Sequence, residues 1–229
     1  GSYIIGEETV DARDPGYIEA AFQNTAWVVD PIDGTAPYAH HIPTWGISIA
    51  RMVRGCLTDG GIFLPVTGEV FVTDGDRVRY GTMPSRDSFD EDSITWVDIE
   101  SPNRREEKQL MSMIAPSQGI AKGSGIGIRN PVQALGCAVV PLTYIMLDRY
   151  YAYTGKVKLW DIAGALPMLI RLGFLVRLAG GKPVTLDVDT SIYDLDRTSR
   201  DRWKIRKTMM CAATEEALSI VAQTIEDEL

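Results

Sequence analysis

The sequence predicts an α/β fold, and three of its features do so. Short runs rich in Val, Ile and aromatic residues alternate with longer apolar stretches of helical length. Clusters of Gly, Pro, Asp and Asn separate these runs at close intervals. Hydrophobic residues make up 45% of the chain, enough to fill a core between packed layers. The length suits a single domain, residues 1–229.

The elements follow in order. Tyr3 to Gly6 is a short apolar run ending in Glu7-Glu8, a strand whose far end reaches a site. Asp11 to Asn24 is polar with Pro15 and Gly16, and reads as a loop with about one helical turn. Ala26 to Val29 predicts a strand buried on both faces, stopping at Asp30-Pro31-Ile32-Asp33-Gly34-Thr35. Strands follow at Gly46–Val53, Leu57–Leu64 and Glu69–Thr73, with a hairpin turn at Pro65–Gly68 and another turn at Asp74–Asp76. Pro84 to Asp98 is an acidic surface loop. Glu106–Met113 predicts a short helix and Ile126–Arg129 a strand. Pro131–Leu147 is a buried helix and Arg149–Tyr153 a strand. Trp160–Leu178 predicts one long helix, ended by Ala179-Gly180-Gly181-Lys182-Pro183. Met209–Ala213 is the last strand and Glu215–Leu229 an amphipathic helix.

A net charge of -8 opposes binding to nucleic acid, since no basic run concentrates positive charge on one face. Small anions remain accessible partners where metal ions reverse the sign locally. The cysteines, Cys56, Cys137 and Cys211, are odd in number and lack C-x-x-C spacing. That argues against a disulfide framework or a zinc site and for a reducing compartment. No stretch of eighteen apolar residues and no signal-peptide start occur. The expectation is a cytoplasmic protein with no membrane partner.

Candidate chemistry centres on Asp30-Pro31-Ile32-Asp33-Gly34-Thr35. Two carboxylates follow a strand; Pro31 fixes its own φ and Gly34 permits a tight turn, so both acids can face one point. Converging carboxylates are costly without a cation between them, and oxygen-only ligands suit Mg²⁺. Gly34 and Thr35 then offer backbone N–H groups to phosphate. Taken in isolation, the same residues also read as two consecutive surface turns. Glu7-Glu8 alone reads as a solvated strand end, and Asp161 alone as a helix cap.

In combination, Gly6-Glu7-Glu8, then Trp27-Val28-Val29-Asp30-Pro31-Ile32-Asp33-Gly34-Thr35, then Trp160-Asp161-Ile162-Ala163-Gly164-Ala165 resemble the inositol monophosphatase family, metal-dependent and often lithium-sensitive phosphatases. The resemblance runs from Ile5 to the Ala179-Gly180-Gly181 turn. It implies an α-β-α-β-α layered sandwich, as in the fructose-1,6-bisphosphatase type. It further implies two or three Mg²⁺ ions, inhibition by Li⁺, a homodimer and a small phosphate-monoester substrate such as an inositol monophosphate, hydrolysed by metal-activated water. Glu7 would bind the first metal and orient the attacking water. Asp30 would bridge two metals, the Ile32 carbonyl would complete the first shell, and Asp33 and Asp161 would hold the second ion. Thr35 would accept a hydrogen bond from the water, with Asp33 also acting in catalysis. Asp33, Gly34, Thr35, Gly136, Cys137 and Ala138 would contact substrate.

The chain departs from the family in places. It starts almost at Gly6-Glu7-Glu8, without the two helices and strand that usually precede that motif, and a truncated chain is the expected reason. Thr154 stands where inositol-specific members carry an acid that contacts sugar hydroxyls, and Cys137 replaces a hydroxyl residue. The apolar run after Asp161 is about two turns longer than usual. Pro43, Trp45-Gly46 and Pro167 are more like the histidinol-phosphate phosphatase branch, while Ala36-Pro37-Tyr38 is unlike the 3′-phosphonucleotide branch. A catalytically inactive metal- or phosphate-binding relative is the alternative of another class. Gly123-Ser124-Gly125-Ile126-Gly127 lacks the spacing of a dinucleotide loop and reads as a turn; a nucleotide-binding oxidoreductase would need it. His40-His41 has no further histidine to complete a metal site, and Cys137 has no histidine nearby in sequence to activate it.

Overall fold

Residues 2–84, 91–102, 113–116 and 130–222 are described by a computed structural model. Strand β1 (Tyr3–Gly6) pairs in parallel with β2 (Thr25–Asp33), which begins an antiparallel meander. The meander continues through β3 (Gly46–Val53), β4 (Cys56–Leu64), β5 (Glu69–Asp74), β6 (Arg77–Thr82) and β7 (Val97–Asp98), giving a seven-stranded sheet. A second sheet has the order β10-β11-β9-β8, from β8 (Met113–Pro116), β9 (Tyr150–Gly155), β10 (Leu175–Leu178) and β11 (Met209–Ala212).

Helices α3 (Val139–Met146), α4 (Leu159–Ala163) and α5 (Leu166–Leu172) pack against the first sheet, and α3 also packs on β9 of the second. They share one core: Val28, Met52 and Phe71 of the first sheet, Ile145 and Leu166 of the helices, and Tyr153 and Cys211 of the second sheet. The alternate residues of β9 and β11, Ala152, Met210 and Ala212, face the other way and bury Leu218 and Val221 of helix α6 (Glu215–Ala222). This period-two division gives a sheet two buried faces. The α/β layered class is therefore as the sequence predicts. Its outermost helical layer, beyond the seven-stranded sheet, is not among the described residues. On that side Trp27 is 40% exposed, so β2 is buried on one face rather than both. No described helix is long and apolar enough to cross a membrane.

Several predicted elements change on folding. Asp11–Asn24 is no loop: a 3-10 turn at Val10–Ala12 leads to the nine-residue helix α1 (Pro15–Gln23). The Asp14 carboxylate caps it by accepting a hydrogen bond from the Gly16 amide, and Pro15 sits at the helix start, where its missing N–H costs nothing. The long helix over 160–178 is three elements, α4, α5 and β10. It breaks at Gly164-Ala165, restarts with Pro167 in its first turn, and stops at Gly173, whose φ of 84° is a left-handed cap. The Gly180-Gly181 turn thus ends a strand, not a helix, and the apolar run after Asp161 is not one extended helix. The buried helix starts at Val139, since Gly136 takes a φ of 78°. The sequence does not predict strands β6, β7 and β8, and Met113, read as the end of a short helix, begins β8. Residues 106–112 of the short helix, the strand over 126–129, the Gly123 turn, residues 85–90 of the acidic loop and residues 223–229 of the last helix lie outside the described residues.

Two glycines set how closely α4 approaches the sheet. A Cβ on Gly60 of β4 would run into the Gly164 carbonyl, and one on Gly164 would lie 2.7 Å from Ser48 Oγ and 2.8 Å from the Gly61 carbonyl. Ser48 fastens the same spot, donating to the Trp160 carbonyl at 2.7 Å and accepting from the Gly164 amide at 3.1 Å. Gly60→Ala must push α4 outward. Overpacking of this kind costs about 1–3 kcal/mol, and for a domain this size we expect Tm to fall by roughly 2–12 °C. An unchanged melting curve for this variant would contradict the contact.

Candidate active site

The acidic residues converge because of three local devices. The first is a bulge. Asp30 pairs with Ser48 and Asp33 with Gly46, so three residue steps on β2 span two on β3. In a regular strand, residues three apart face opposite sides; the extra residue turns Asp30 and Asp33 to the same buried side. Asp30 Oδ1 accepts the Ile32 amide at 2.9 Å within this bulge.

The second device holds Asp33. Its Oδ2 accepts from the Ala138 and Val139 amides at 2.7 and 2.6 Å, at the first turn of α3. Those N–H groups have no helical acceptor, and the helix dipole favours an anion there. The third holds Asp161. It is the third residue of α4, and its Oδ2 accepts from the Lys158 amide at 2.8 Å. The cap expected of Asp161 is thus present, and its carboxylate also reaches the other acids.

One oxygen from each of Asp30, Asp33 and Asp161 lies within 4.8 Å of the others. Parallel pairing of β1 with β2 carries Glu7 to the same place, its amide donating to the Val29 carbonyl at 3.2 Å. The Glu7 carboxylate meets the Lys158 ammonium at 3.3 Å. Burial first, then the charges of Asp161 and Glu7, push the Asp30 pKa up to about 8. Burial and the Asp33 charge push Asp161 up to about 8, and burial, with the Asp30 charge, raises Asp33 to about 7 against the lowering effect of its two amide donors. Asp30 Oδ2 is buried and meets no donor among the described residues. A buried carboxylate oxygen without a donor, beside two more carboxylates, suits a hard divalent cation.

The other predicted residues fall around this cluster. Gly34 takes a φ of 94°, and a Cβ on it would lie 2.9 Å from Cys137 Cβ, so the Gly136–Ala138 loop abuts the turn after Asp33. Thr35 opens helix α2 (Thr35–Ala39), and its hydroxyl donates to the Ile32 carbonyl at 3.2 Å. Burial raises the Cys137 thiol pKa, which makes it a poor nucleophile. His40 and His41 are exposed at the end of α2, outside the cluster. Thr154 does not face solvent: it is fully buried in β9, its hydroxyl without a partner among the described residues. Sequence reasoning missed Lys158 and Ser48. The three-residue spacing of Lys158 from Asp161, that of a helix cap and its third residue, was the available signal for the first.

In the metal-free protein, Asp30, Asp33 and Asp161 bind protons more tightly folded than unfolded. Folding stability on this count is greatest in acid and is lost as pH rises from about 3.8 through about 8. In EDTA, Asp30→Asn should therefore melt higher than the wild type at pH 8, by at least the roughly 2–4 °C that 1 kcal/mol gives here, and no higher at pH 4. Parallel melting-temperature profiles for the two proteins would refute the buried, repelling cluster.

A family model described as the inositol monophosphatase family matches residues 1–219. The human protein "Inositol monophosphatase 1" is 26% identical over 197 residues, covering 84% of this chain and 65% of that protein. "Inositol-1-monophosphatase" of Mesorhizobium japonicum is 30% identical over 196 residues, covering 78% and 70%. "Nus factor SuhB" of Pasteurella multocida is 27% identical over 177 residues, covering 76% and 62%. The chain thus spans less than two thirds of the length of the Pasteurella and human relatives. Among solved structures, SaIMPase-II with bound 2′AMP has a TM-score of 0.68 at 18% identity, covering 99% of this chain and 76% of that one. Mycobacterium tuberculosis SuhB has a TM-score of 0.63 at 19% identity, covering 98% and 77%. These two structures share the fold.

Proposed function

The chain belongs to the inositol monophosphatase family, and from that premise we propose that it is a magnesium-dependent phosphatase acting on a small phosphate monoester, an inositol monophosphate-like polyol phosphate. The observation that carries this reading is the convergence of Asp30, Asp33 and Asp161, with one buried oxygen of Asp30 left without a donor. Glu7, Asp30, Asp33, Asp161 and the Ile32 carbonyl are the groups that would hold two or three ions. Bound magnesium supplies charge against the phosphoryl oxygens and lowers the pKa of water coordinated to it.

The chain's own residues do the rest. Glu7 would accept a hydrogen bond from the attacking water and so aim its lone pair. The Thr35 hydroxyl, with its hydrogen directed to the Ile32 carbonyl, has oxygen lone pairs left for the water's other proton. Fixing water in this way removes orientational freedom before the reaction. The amides at Gly34 and Thr35 and the loop from Gly136 through Cys137 to Ala138 are assigned to the substrate. Discrimination for inositol is weak in this reading, because Thr154 supplies no carboxylate to the sugar hydroxyls and is buried. Histidinol phosphate and other monoesters are then accepted too. A single-domain homodimer in the reducing cytoplasm completes the proposal.

The test is phosphate release from inositol 1-phosphate, histidinol phosphate and glycerol 2-phosphate, with and without Mg²⁺. Release should need Mg²⁺ and vary little across the panel. Asp30→Asn should lower kcat at least about 100-fold, since several kcal/mol of charge stabilisation depend on that carboxylate. Near-normal turnover in that variant would remove Asp30 from the machinery. Cation binding without turnover of any ester would identify an inactive relative instead.

A further inference from the structure

Lys158 stands at the edge of the acidic cluster. Its amide holds Asp161 and its ammonium lies 3.3 Å from Glu7 Oε1. Among the described residues, it is the cation whose side chain contacts one of the four acids. The ammonium also lies 5.2 Å from the centre of the Trp160 ring, an attractive arrangement that steadies it beside Glu7. Its backbone is tied down on two sides: Lys158 bridges Lys204, and the next amide, Leu159, donates to the Trp203 carbonyl at 2.8 Å. The side chain is nonetheless 45% exposed on a flexible four-carbon stem, so it has room to leave Glu7 while its backbone stays fixed.

We propose that Lys158 is an internal counter-cation that occupies Glu7 while no metal does, and that it must be displaced for a divalent cation to bind there. This rests on the reading of Glu7 as a metal ligand. An ammonium and a divalent cation on one carboxylate repel each other, and water reaching the part-exposed pair reduces that repulsion without removing it. Lys158 therefore supports the metal-free fold and weakens the cation held by Glu7. The two effects have opposite signs, which a residue that only packed against Trp160 would not produce.

The experiment is Mg²⁺ and Mn²⁺ binding by calorimetry, with melting curves in EDTA, on the wild type, Lys158→Met, Lys158→Gln and Lys158→Arg. Methionine keeps the length and apolar stem without the charge, and glutamine guards against a packing defect peculiar to methionine. We expect a divalent cation to bind about three- to tenfold tighter in the two neutral variants. Their Tm in EDTA should fall, and the gain in Tm on adding Mg²⁺ should grow. Lys158→Arg should bind cations within about twofold of the wild type. Equal or weaker cation binding in both neutral variants, with the wild type binding normally, overturns this inference and leaves the phosphatase reading intact. Failure of every protein, wild type included, to bind a divalent cation overturns both.

Discussion

Buried carboxylates repel one another, and the arrangement around Asp30, Asp33 and Asp161 is what keeps them together. Their oxygens lie within 4.8 Å of one another, and burial raises the pKa of all three. Each acid is held by backbone: Asp30 by the Ile32 amide, Asp33 by the start of α3, Asp161 by the start of α4. Amides cannot be titrated away or swing aside, so they hold the three acids together without a cation. Their mutual repulsion is a cost that the folded protein carries.

Holding the acids in place requires α4 to sit very close to the sheet. Gly60 and Gly164 remove the two side chains that would separate them, and Ser48 ties the helix down with both its donor and its acceptor. The glycine of Trp160-Asp161-Ile162-Ala163-Gly164 thus has a packing reason as direct as the chemical reason for its aspartate. Below these elements lies the shared core of both sheets, with Tyr153, Trp203 and Tyr193 among its largest buried side chains. A core of that size makes the helices bearing Asp33's donors and Asp161 poor candidates for independent motion.

Much of this was legible in the sequence, and the reason is local. The acids after strand ends, the turn chemistry at Gly34 and the alternation of strand and helix are short-range patterns. Strand β3 and the turns at Pro65–Gly68 and Asp74–Asp76 depend on nothing distant, and the structure has them where the pattern puts them. Proline and glycine misled the reading where their meaning depends on position. Pro15 and Gly16 start a helix where they read as part of a loop, and Gly173 ends a helix inside a run that looks continuously apolar.

By itself the sequence determined the fold class, the acids of the cluster and the family, since each is written in residue types and spacings a few positions long. Only the tertiary structure decided that those acids meet. The bulge that turns Asp30 and Asp33 to one side is a mismatch between two strands, and no single strand records it. The contact of Lys158 with Glu7 spans 151 positions, and the clamp from Ser48 to Trp160 spans 112. The burial of Thr154 likewise follows from the packing of β9 between its neighbours. Contacts of that range are set by how layers pack, and packing is a property of the whole chain at once.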